Sequence, residues 1–257
     1  MTDTIHRAAS DGYAAAVDEY ERSRPGYPLE AVAWLAHTLR IHSGCTVLEL
    51  GAGTGKLTSQ LVPLRARVVA VEPVTEMRGR LIAAVPSAVP LAAAAEALPL
   101  GDGTIDAALA AQAFHWFDHD AALAELGRVL RPRGRLGLAW NVRDPMVDWS
   151  RRITEIIDRL AGDTPRHGSA VWRAAFERCG WFVPIGEASF PNPMSVTPEQ
   201  VVDRVASISF VAAAEPGARE EVLDEVRSLL ASHPDLAGRA RITFPYRTDV
   251  HAWERTD

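Results

Sequence analysis

The segment Leu48-Glu49-Leu50-Gly51-Ala52-Gly53-Thr54-Gly55-Lys56-Leu57 places three glycines between a short apolar run and the start of a predicted helix. A strand followed by glycines and a helix lets the backbone approach a ligand closely and points free N–H groups at it. Glu72 follows about 20 residues beyond Gly51, at the end of the next predicted strand, where an acid can accept hydrogen bonds from ribose hydroxyls. The segment therefore predicts a ligand site at the end of the first strand of an α/β sheet.

Two common nucleotide-binding motifs do not fit this spacing. A phosphate-binding loop needs a glycine where Leu50 stands and a Ser or Thr where Leu57 stands. A nicotinamide dinucleotide fold needs G-x-G-x-x-G, whereas the glycines here follow G-x-G-x-G. Lys56 is the only lysine of the chain, so the Tyr-x-x-x-Lys pair of the commonest dehydrogenases of this size is absent as well. Glu49 would repel a pyrophosphate, but it suits a cation such as the α-ammonium group of an amino acid.

Outward from the glycine loop, apolar runs alternate with helical patterns. We predict strands at residues 46–50, 68–71, 105–109 and 136–140, and helices at 14–20, 29–39, 57–64, 75–84 and 121–130. Continuous apolar strands that alternate with helices are typical of a parallel sheet covered on both faces.

The second half of the chain is less regular. We predict helices at 149–160, 169–178 and 216–232 and strands at 181–190 and 242–250. Thr197-Pro198-Glu199-Gln200 predicts a helix start, with Thr197 as N-cap, Pro198 in the first helical position and Gln200 as capping partner. Helices inserted between the late strands of one sheet commonly build a lid or substrate cap.

The composition favours a soluble protein and argues against a tight nucleic-acid binder. Apolar residues make up 47% and charged residues 23% of the chain, and the net charge of −6 leaves no basic surface of the kind that duplex nucleic acid needs. We predict no signal peptide, membrane span or disulfide framework, because the N-terminus lacks an apolar core and there are two cysteines, Cys45 and Cys179. The expected location is cytoplasmic, and the oligomeric state stays open.

Four segments together resemble the class I S-adenosylmethionine-dependent methyltransferases. Residues 47–55 resemble the first motif of that family, and Val69-Ala70-Val71-Glu72-Pro73 resembles the second. Residues 95–100 are similar to the segment that flanks the adenine ring, and residues 114–117 with 126–134 are similar to the fourth strand and its following helix. The order and spacing of the four segments agree over residues 13–141.

The resemblance implies a Rossmann-like, doubly wound α/β fold. We expect a mostly parallel seven-stranded sheet with its last strand antiparallel, helices on both faces and inserted cap helices. One methyltransferase domain would span residues 1–257, with the cofactor-binding core at 13–141, helical insertions that form a substrate cap at about 142–240 and the final strand at 241–250.

A second resemblance concerns the segment before the first strand. Tyr20, Arg24, Pro25, Tyr27 and Pro28 resemble the Y-x-x-x-R-P-x-Y-P signature of a bacterial subgroup similar to the trans-aconitate methyltransferases. In that subgroup the segment folds over the cofactor. The chain departs from many relatives at Ala94, where they carry an aspartate that bonds the adenine amino group, so this contact is expected from backbone and from Glu96 or a neighbour.

The resemblance implies S-adenosylmethionine as cofactor and S-adenosylhomocysteine as product. Glu49 would bind the ammonium group, or else is a solvated acid at a strand end. Glu72 would bind the ribose, or else is an acid at a helix N-terminus. Met77 would pack on the adenine or in the core, and Arg24 would pair with the cofactor carboxylate or on the surface. The full predicted cofactor set is Tyr20, Arg24, Glu49, Gly51, Ala52, Gly53, Gly55, Glu72, Pro73, Met77, Ala95, Glu96, Gln112 and Ala113.

Residues after the third and fourth predicted strands are the candidates for the methyl acceptor, because ligands bind at the carboxyl ends of such strands. His115 would orient the acceptor or take its proton, or else is structural. Arg143 would recognise a carboxylate, or else is a surface arginine. Trp172 would line the cap or belong to the core. The predicted substrate set is His115, Trp116, Trp140, Asn141 and Arg143.

No metal site is predicted. His115, Asp118, His119 and Asp120 lie close in sequence, but no further cluster of ligands accompanies them. Asp118 is better explained as the N-cap of the following helix.

The predicted reaction is methyl transfer to a small-molecule acceptor by direct in-line displacement. The subgroup resemblance favours a carboxylate, a hydroxyl is the other group considered, and nitrogen and carbon acceptors stay open. Alignment of the reactants can supply about 7–11 kcal/mol of the barrier, so no base is obligatory. We therefore expect His115→Ala to slow turnover without abolishing it. A non-catalytic or regulatory protein that binds S-adenosylmethionine with the same fold is the alternative, since intact cofactor motifs fit both.

Overall fold

Seven strands form the central sheet of the computed structural model, which describes residues 25–162, 164–165, 168 and 171–256. The predicted helix at 14–20 lies outside these residues. The strands are β1 (Thr46–Leu50), β2 (Arg67–Val71), β3 (Val89–Leu91), β4 (Ile105–Ala111), β5 (Leu130–Arg143), β6 (Phe182–Pro191), β7 (Met194–Val196), β8 (Ile242–Phe244) and β9 (Tyr246–Arg255). In the sheet they lie in the order β3-β2-β1-β4-β5-β9-β6, and β7 pairs with β8 in a separate two-stranded sheet.

The direction of the strands confirms the expected topology. β3, β2, β1, β4 and β5 pair in parallel. β9 pairs antiparallel with both β5 and β6, so it alone opposes the other six strands of the sheet. The fold is therefore Rossmann-like, with one antiparallel strand, as predicted.

Helices cover both faces of the sheet. The helices of the described chain, on the sheet and in the cap region, are α1 (Leu29–Thr38), α2 (Lys56–Leu61), α3 (Thr75–Ala84), α4 (His119–Val129), α5 (Asp148–Asp158), α6 (Val171–Cys179), α7 (Pro198–Ala206), α8 (Ser209–Ala212) and α9 (Pro216–Ser232), with 3-10 turns at Val62–Leu64 and Phe114–Trp116. α1 and α2 pack on one face, and α4 and α6 pack on the other. β1 serves both layers, because Val47 points to the first and Leu48 and Leu50 point to the second.

A further apolar cluster lies in the region predicted as the cap, and the elements that it joins are called the cap below. It joins α5, α7, α8 and α9 to the short strands β7 and β8, with Trp149, Ile153, Val226 and Phe244 among its buried members. Thr197 caps α7 through a complete capping box with Gln200, as the sequence predicted. The cap and the sheet thus have separate cores that meet at the carboxyl end of β5.

Two predicted segments are organised differently in the structure. The segment predicted as one final strand at 241–250 is two strands, because Pro245 cannot continue a ladder and its carbonyl accepts a hydrogen bond from Asp144 N–H. β8 therefore joins the cap sheet, while β9 runs on to Arg255. Moreover, α6 and β6 lie within the expected cap region but belong to the central fold, since Trp172 and Phe176 pack under the sheet.

Candidate active site

The candidate site lies where the strand order reverses. β1 has β2 on one side and β4 on the other, so the chain leaves the carboxyl ends of β1 and β4 in opposite directions and opens a crevice there. The cleft is lined by Pro25, Tyr27, Glu49, Gly51, Ala52, Gly53, Thr54, Lys56, Leu57, Ala111, Gln112 and Asn141. It therefore joins the glycine loop to the ends of β4 and β5 and to the first described residues of the chain.

The glycines of the loop have different tasks. Gly51 and Gly53 have φ values of +64° and +59°, a conformation that costs little only for glycine. A Cβ on Gly51 would lie 2.5 Å from the Cβ of Ala113, whereas a Cβ on Gly53 would have no atom within 4 Å. Gly51 thus allows the loop to pack on the segment after β4, and Gly53 leaves open space above the loop.

Glu49 is a buried acid at the floor of the cleft. It is 2% exposed, and its Oε2 accepts a hydrogen bond of 2.6 Å from the Thr58 hydroxyl. Burial raises the pKa of Glu49 to about 8; the Thr58 hydrogen bond opposes this rise and the nearby Glu72 charge adds to it. A carboxyl group held in this way would ionise readily beside a cationic ligand.

Glu72 anchors the loop to the end of β2. Its Oε2 accepts from Gly53 N–H at 2.8 Å and its Oε1 accepts from Val74 N–H at 2.9 Å. Burial raises the pKa of Glu72 above its usual value, while these two N–H groups and the charge of Arg78 act in the opposite direction. The carboxyl group is therefore held in one orientation beside the glycine loop.

Amide side chains hold residues 25–27, here called the strap, over the cleft. Asn141 Nδ2 donates to the carbonyls of Pro25 and Gly26 at 3.2 and 3.1 Å, and Asn192 Nδ2 donates to Gly26 O at 2.9 Å. Gln60 Nε2 donates to Tyr27 O at 2.8 Å. The strap is thus bound from β5, from the turn after β6 and from α2.

A buried hydroxyl completes this arrangement. Thr248 Oγ1 donates to Asn141 Oδ1 at 2.5 Å, and Asn192 Nδ2 lies 3.0 Å from the same oxygen. Because Asn141 Oδ1 accepts from the Thr248 hydroxyl and the Asn192 amide, the Asn141 amide nitrogen points towards the strap. We call Asn141, Asn192 and Thr248 the amide cluster.

Gln112 follows β4 with a φ of +58°, an uncommon conformation for a residue that is not glycine. Its main-chain N–H donates to Ala139 O at 2.9 Å and its Nε2 donates to Asn141 O at 3.0 Å. Both bonds tie the turn after β4 to β5, so this strained residue lies at the wall of the cleft, where such strain is concentrated in proteins.

His115 lies on the 3-10 turn after β4, above the end of β5. Its Nδ1 accepts a hydrogen bond of 3.2 Å from the Nε1–H of Trp140. Trp140 is 1% exposed and belongs to the core beneath the turn. Further along β5, Arg143 Nε donates to Thr154 Oγ1 of α5 at 2.9 Å, so Arg143 stands between the sheet and the cap.

Comparisons with known proteins agree with this geometry. A family model described as "Methyltransferase domain" matches residues 48–138. An uncharacterized methyltransferase of Mycobacterium tuberculosis is 43% identical over 242 residues, which cover 94% of this chain and 95% of that protein. The chain belongs to the class I S-adenosylmethionine-dependent methyltransferases. A methyltransferase-like protein of Schizosaccharomyces pombe is 33% identical over 93% of each chain.

Solved structures share the fold of this methyltransferase. The YcgJ protein of Bacillus subtilis superposes with a TM-score of 0.61 at 18% identity, over 89% of this chain and 99% of that chain. The geranyl diphosphate C-methyltransferase of Streptomyces coelicolor, solved with S-adenosyl-L-homocysteine, gives a TM-score of 0.50 at 13% identity over 88% and 75% of the two chains. At these sequence identities, the similarity establishes a shared fold and nothing more.

The methyltransferase brings many of the predicted cofactor residues together. Glu49, Gly51, Ala52, Gly53 and Gln112 line the cleft. The other described residues of the set do not line it. Glu72 bonds the glycine loop, Ala113 packs on Gly51, and a Cβ on Gly55 would meet Leu81 at 2.7 Å. Met77 and Ala95 are buried, the Pro73 carbonyl accepts from Arg78, and Glu96 accepts from Asp118 N–H. Tyr20 and Arg24 lie outside the described residues.

The predicted acceptor residues have different surroundings. Trp140 is buried below His115, and the ring of Trp116 lies 5.0 Å from the ring of His115. Asn141 lines the cleft and bonds the strap, whereas Arg143 faces α5. The other three residues considered for a metal have structural roles of their own: Asp118 caps α4, Asp120 pairs with Arg178, and His119 packs on Phe114.

Several residues of the site escaped the sequence analysis. Thr58, Gln60, Asn192 and Thr248 bond Glu49, the strap or Asn141. Thr58 is in the first turn of α2, where a polar residue among apolar ones could have indicated a partner on β1. No pattern in the sequence indicates Asn192 or Thr248, because each is defined by a contact with a distant segment.

In the part of the chain that the structure describes, no group of three or more His, Cys, Asp or Glu side chains is arranged to hold a metal ion. Among the same residues, no helix combines the length and apolar character that a membrane span requires.

Proposed function

We propose that this methyltransferase binds S-adenosylmethionine in the cleft and transfers its methyl group to a small molecule through a carboxylate or hydroxyl oxygen. One observation carries the proposal: a buried acid, Glu49, and an oriented acid, Glu72, flank the same glycine loop at the point where the strand order reverses. Such a pair suits a ligand that has an ammonium group at one end and a ribose at the other.

The residues of the cleft fit this ligand. Each oxygen of Glu72 accepts one backbone N–H, and because a carboxylate oxygen has two lone pairs, each keeps one for a ribose hydroxyl. The space above Gly53 admits a ligand close to the backbone. The Streptomyces enzyme, which has the same fold, was solved with S-adenosyl-L-homocysteine, and this supports S-adenosylmethionine as the cofactor here.

S-adenosylmethionine supplies, when bound, a methyl group already activated by a sulfonium. The chain itself then has to align the acceptor and exclude water, which can supply about 7–11 kcal/mol of the barrier. The acceptor oxygen forms the new bond to the methyl carbon while the carbon–sulfur bond breaks and its electron pair stays on sulfur. In this proposal the acceptor lies between the strap, which is held over the cleft, and His115 and Arg143, which lie after β4 and at the end of β5.

The cap favours a small acceptor over a macromolecule. α5, α7 and α9 share an apolar core of their own, so they form a packed group of helices at the carboxyl end of β5. Arg143 stands between this group and the sheet, and a guanidinium in such a place is suited to a carboxylate.

The cofactor assignment is tested by calorimetric titration with S-adenosylhomocysteine, with NAD⁺ as the control ligand. We expect micromolar binding of S-adenosylhomocysteine and no binding of NAD⁺. Preference for NAD⁺ would overturn the assignment of the glycine loop.

The acceptor assignment is tested with S-adenosylmethionine labelled in the methyl group and panels of small carboxylic acids and small alcohols. Methyl esters release labelled methanol in alkali, whereas methyl ethers do not, so one treatment identifies the acceptor group. Transfer of label to a protein or nucleic acid, with none to either panel, would contradict a small-molecule acceptor.

A further inference from the structure

The hydrogen bond between Trp140 and His115 determines which nitrogen of His115 carries its proton. An indole N–H can only donate, so the Nδ1 of His115, 3.2 Å from Trp140 Nε1, must present a lone pair. A neutral imidazole has one N–H, which is therefore on Nε2. The other tautomer, or the imidazolium ion, would set two N–H groups against each other.

Trp140 is a fixed donor. Its side chain is 1% exposed, and its ring lies 4.8 Å from the ring of Trp172 and 6.1 Å from the ring of His251. Its strand, β5, is paired on both sides, with β4 and β9. The indole cannot turn away without disrupting the packed core, so His115 meets the N–H at the same place throughout the reaction.

We propose that Trp140 is a positioning residue that holds His115 in its Nε2–H form, so that His115 donates a hydrogen bond to the methyl acceptor and does not act as a base. This proposal rests on the proposed function, since it assigns a role at the same site. It decides between the two roles that the sequence leaves open for His115, orientation of the acceptor and removal of its proton.

The proposal also favours one of the two acceptor groups. A hydroxyl must lose a proton when it is methylated, whereas a carboxylate is ionised near neutral pH and loses none. In the second case one carboxylate oxygen takes the methyl group, the carbon–sulfur electron pair stays on sulfur, and no proton moves. A donor at Nε2 then holds the acceptor in line and leaves the reacting lone pair available.

The first test is the tautomer of His115, measured by nitrogen-15 NMR of the wild-type protein with labelled histidine. His115→Gln assigns the His115 resonances by removing them. We expect an unprotonated Nδ1 and a protonated Nε2, and we expect Trp140→Phe to populate the Nδ1–H form. An Nδ1–H form in the wild type would overturn the proposal. This readout needs no turnover, so it stands apart from the failure or success of the proposed function.

The second test compares His115→Gln with His115→Ala at saturating cofactor. The glutamine amide keeps an N–H donor near the position of Nε2 but cannot serve as a base. We expect His115→Ala to lower kcat/KM about 10- to 100-fold, as for a lost hydrogen bond to a charged group, and His115→Gln to recover most of that loss. If His115 is a base, both variants will lose about 10²–10⁴-fold alike, and the proposal fails. Unchanged binding of S-adenosylhomocysteine in both variants shows that the cofactor site is intact.

Discussion

In the proposed function the cleft has a cofactor side and an acceptor side, which are built in different ways. On the cofactor side, residues 49–58 and Glu72 supply the loop, both acids and the hydroxyl that bonds Glu49. On the acceptor side, Asn141, Asn192 and Thr248 meet from three separate segments to hold the strap. The cofactor side is therefore local in sequence and depends on backbone geometry, whereas the acceptor side is assembled from distant side chains.

This difference bears on how the two sides can change. A loop that binds through its own backbone tolerates few substitutions, because the ligand contacts depend on φ angles and on the absence of side chains. Side chains that converge from distant segments can be replaced one at a time while the fold persists. The same cofactor site can then serve many acceptors, which is common among enzymes that share a fold.

The largest effect is expected within the glycine loop. Gly51→Ala combines a left-handed φ with a contact of 2.5 Å to Ala113, and should lower the free energy of unfolding by about 2–5 kcal/mol. Gly53→Ala, at a similar φ with open space around it, should lose only about 1–2 kcal/mol but bind S-adenosylhomocysteine more weakly. Urea unfolding measures the loss of stability in each variant, and calorimetry measures the loss of S-adenosylhomocysteine binding. Equal unfolding midpoints for both variants would show that the contact with Ala113 contributes nothing.

The next effect concerns Glu72. Glu72→Ala removes the carboxylate that we assign to the two ribose hydroxyls. Hydrogen bonds to a charged group contribute about 1.5–3 kcal/mol each, so affinity for S-adenosylhomocysteine should fall at least about 100-fold. Glu76→Ala, which removes an exposed acid from the first turn of α3, is the matched control in calorimetry. A similar loss in both variants would point to net charge instead of a contact.

A smaller effect is expected from pH through Glu49. Because its pKa is about 8, the Glu49 carboxyl is mostly protonated at neutral pH when no ligand is bound. A ligand with an ammonium group binds the ionised carboxylate. Below pH 8 the proton must leave on binding, so the Kd for S-adenosylhomocysteine should rise by up to about tenfold per unit of falling pH.

Calorimetry in buffers of different ionisation enthalpy would report the proton released on binding. Glu49→Gln should remove this pH dependence and weaken binding at pH 8. An unchanged slope in Glu49→Gln would assign the proton to another group.

The smallest effect is expected on the acceptor side. Asn192→Ala removes one of the hydrogen bonds to the strap and one to Asn141, and at about 1 kcal/mol for a typical bond it should weaken S-adenosylhomocysteine binding about 3- to 10-fold. Ser228→Ala, at an exposed position of α9, is the control. If Asn192→Ala weakens S-adenosylhomocysteine binding as much as Glu72→Ala does, the contrast between the two sides does not hold.

Much of the fold could be predicted because its elements have local causes. The bounds of β1, α3 and α9 coincide with the predicted ones, since apolar runs, glycines and prolines mark them directly. The final strand was predicted incorrectly at Pro245, because alternation continues across the proline while pairing does not. β3 was missed, since three residues with a proline carry no clear strand pattern.

The sequence alone determined the α/β class, the glycine loop, the acid within β1 and the acid that follows β2, because these depend on spacing within one strand–loop–helix unit and the strand after it. The tertiary structure decided the rest of the site. Asn192 and Gly26 lie 166 residues apart, and His115 and Trp140 lie 25 apart on neighbouring strand ends. Their hydrogen bonds exist only because the sheet brings those ends together, and a contact between segments leaves no periodic pattern in either one.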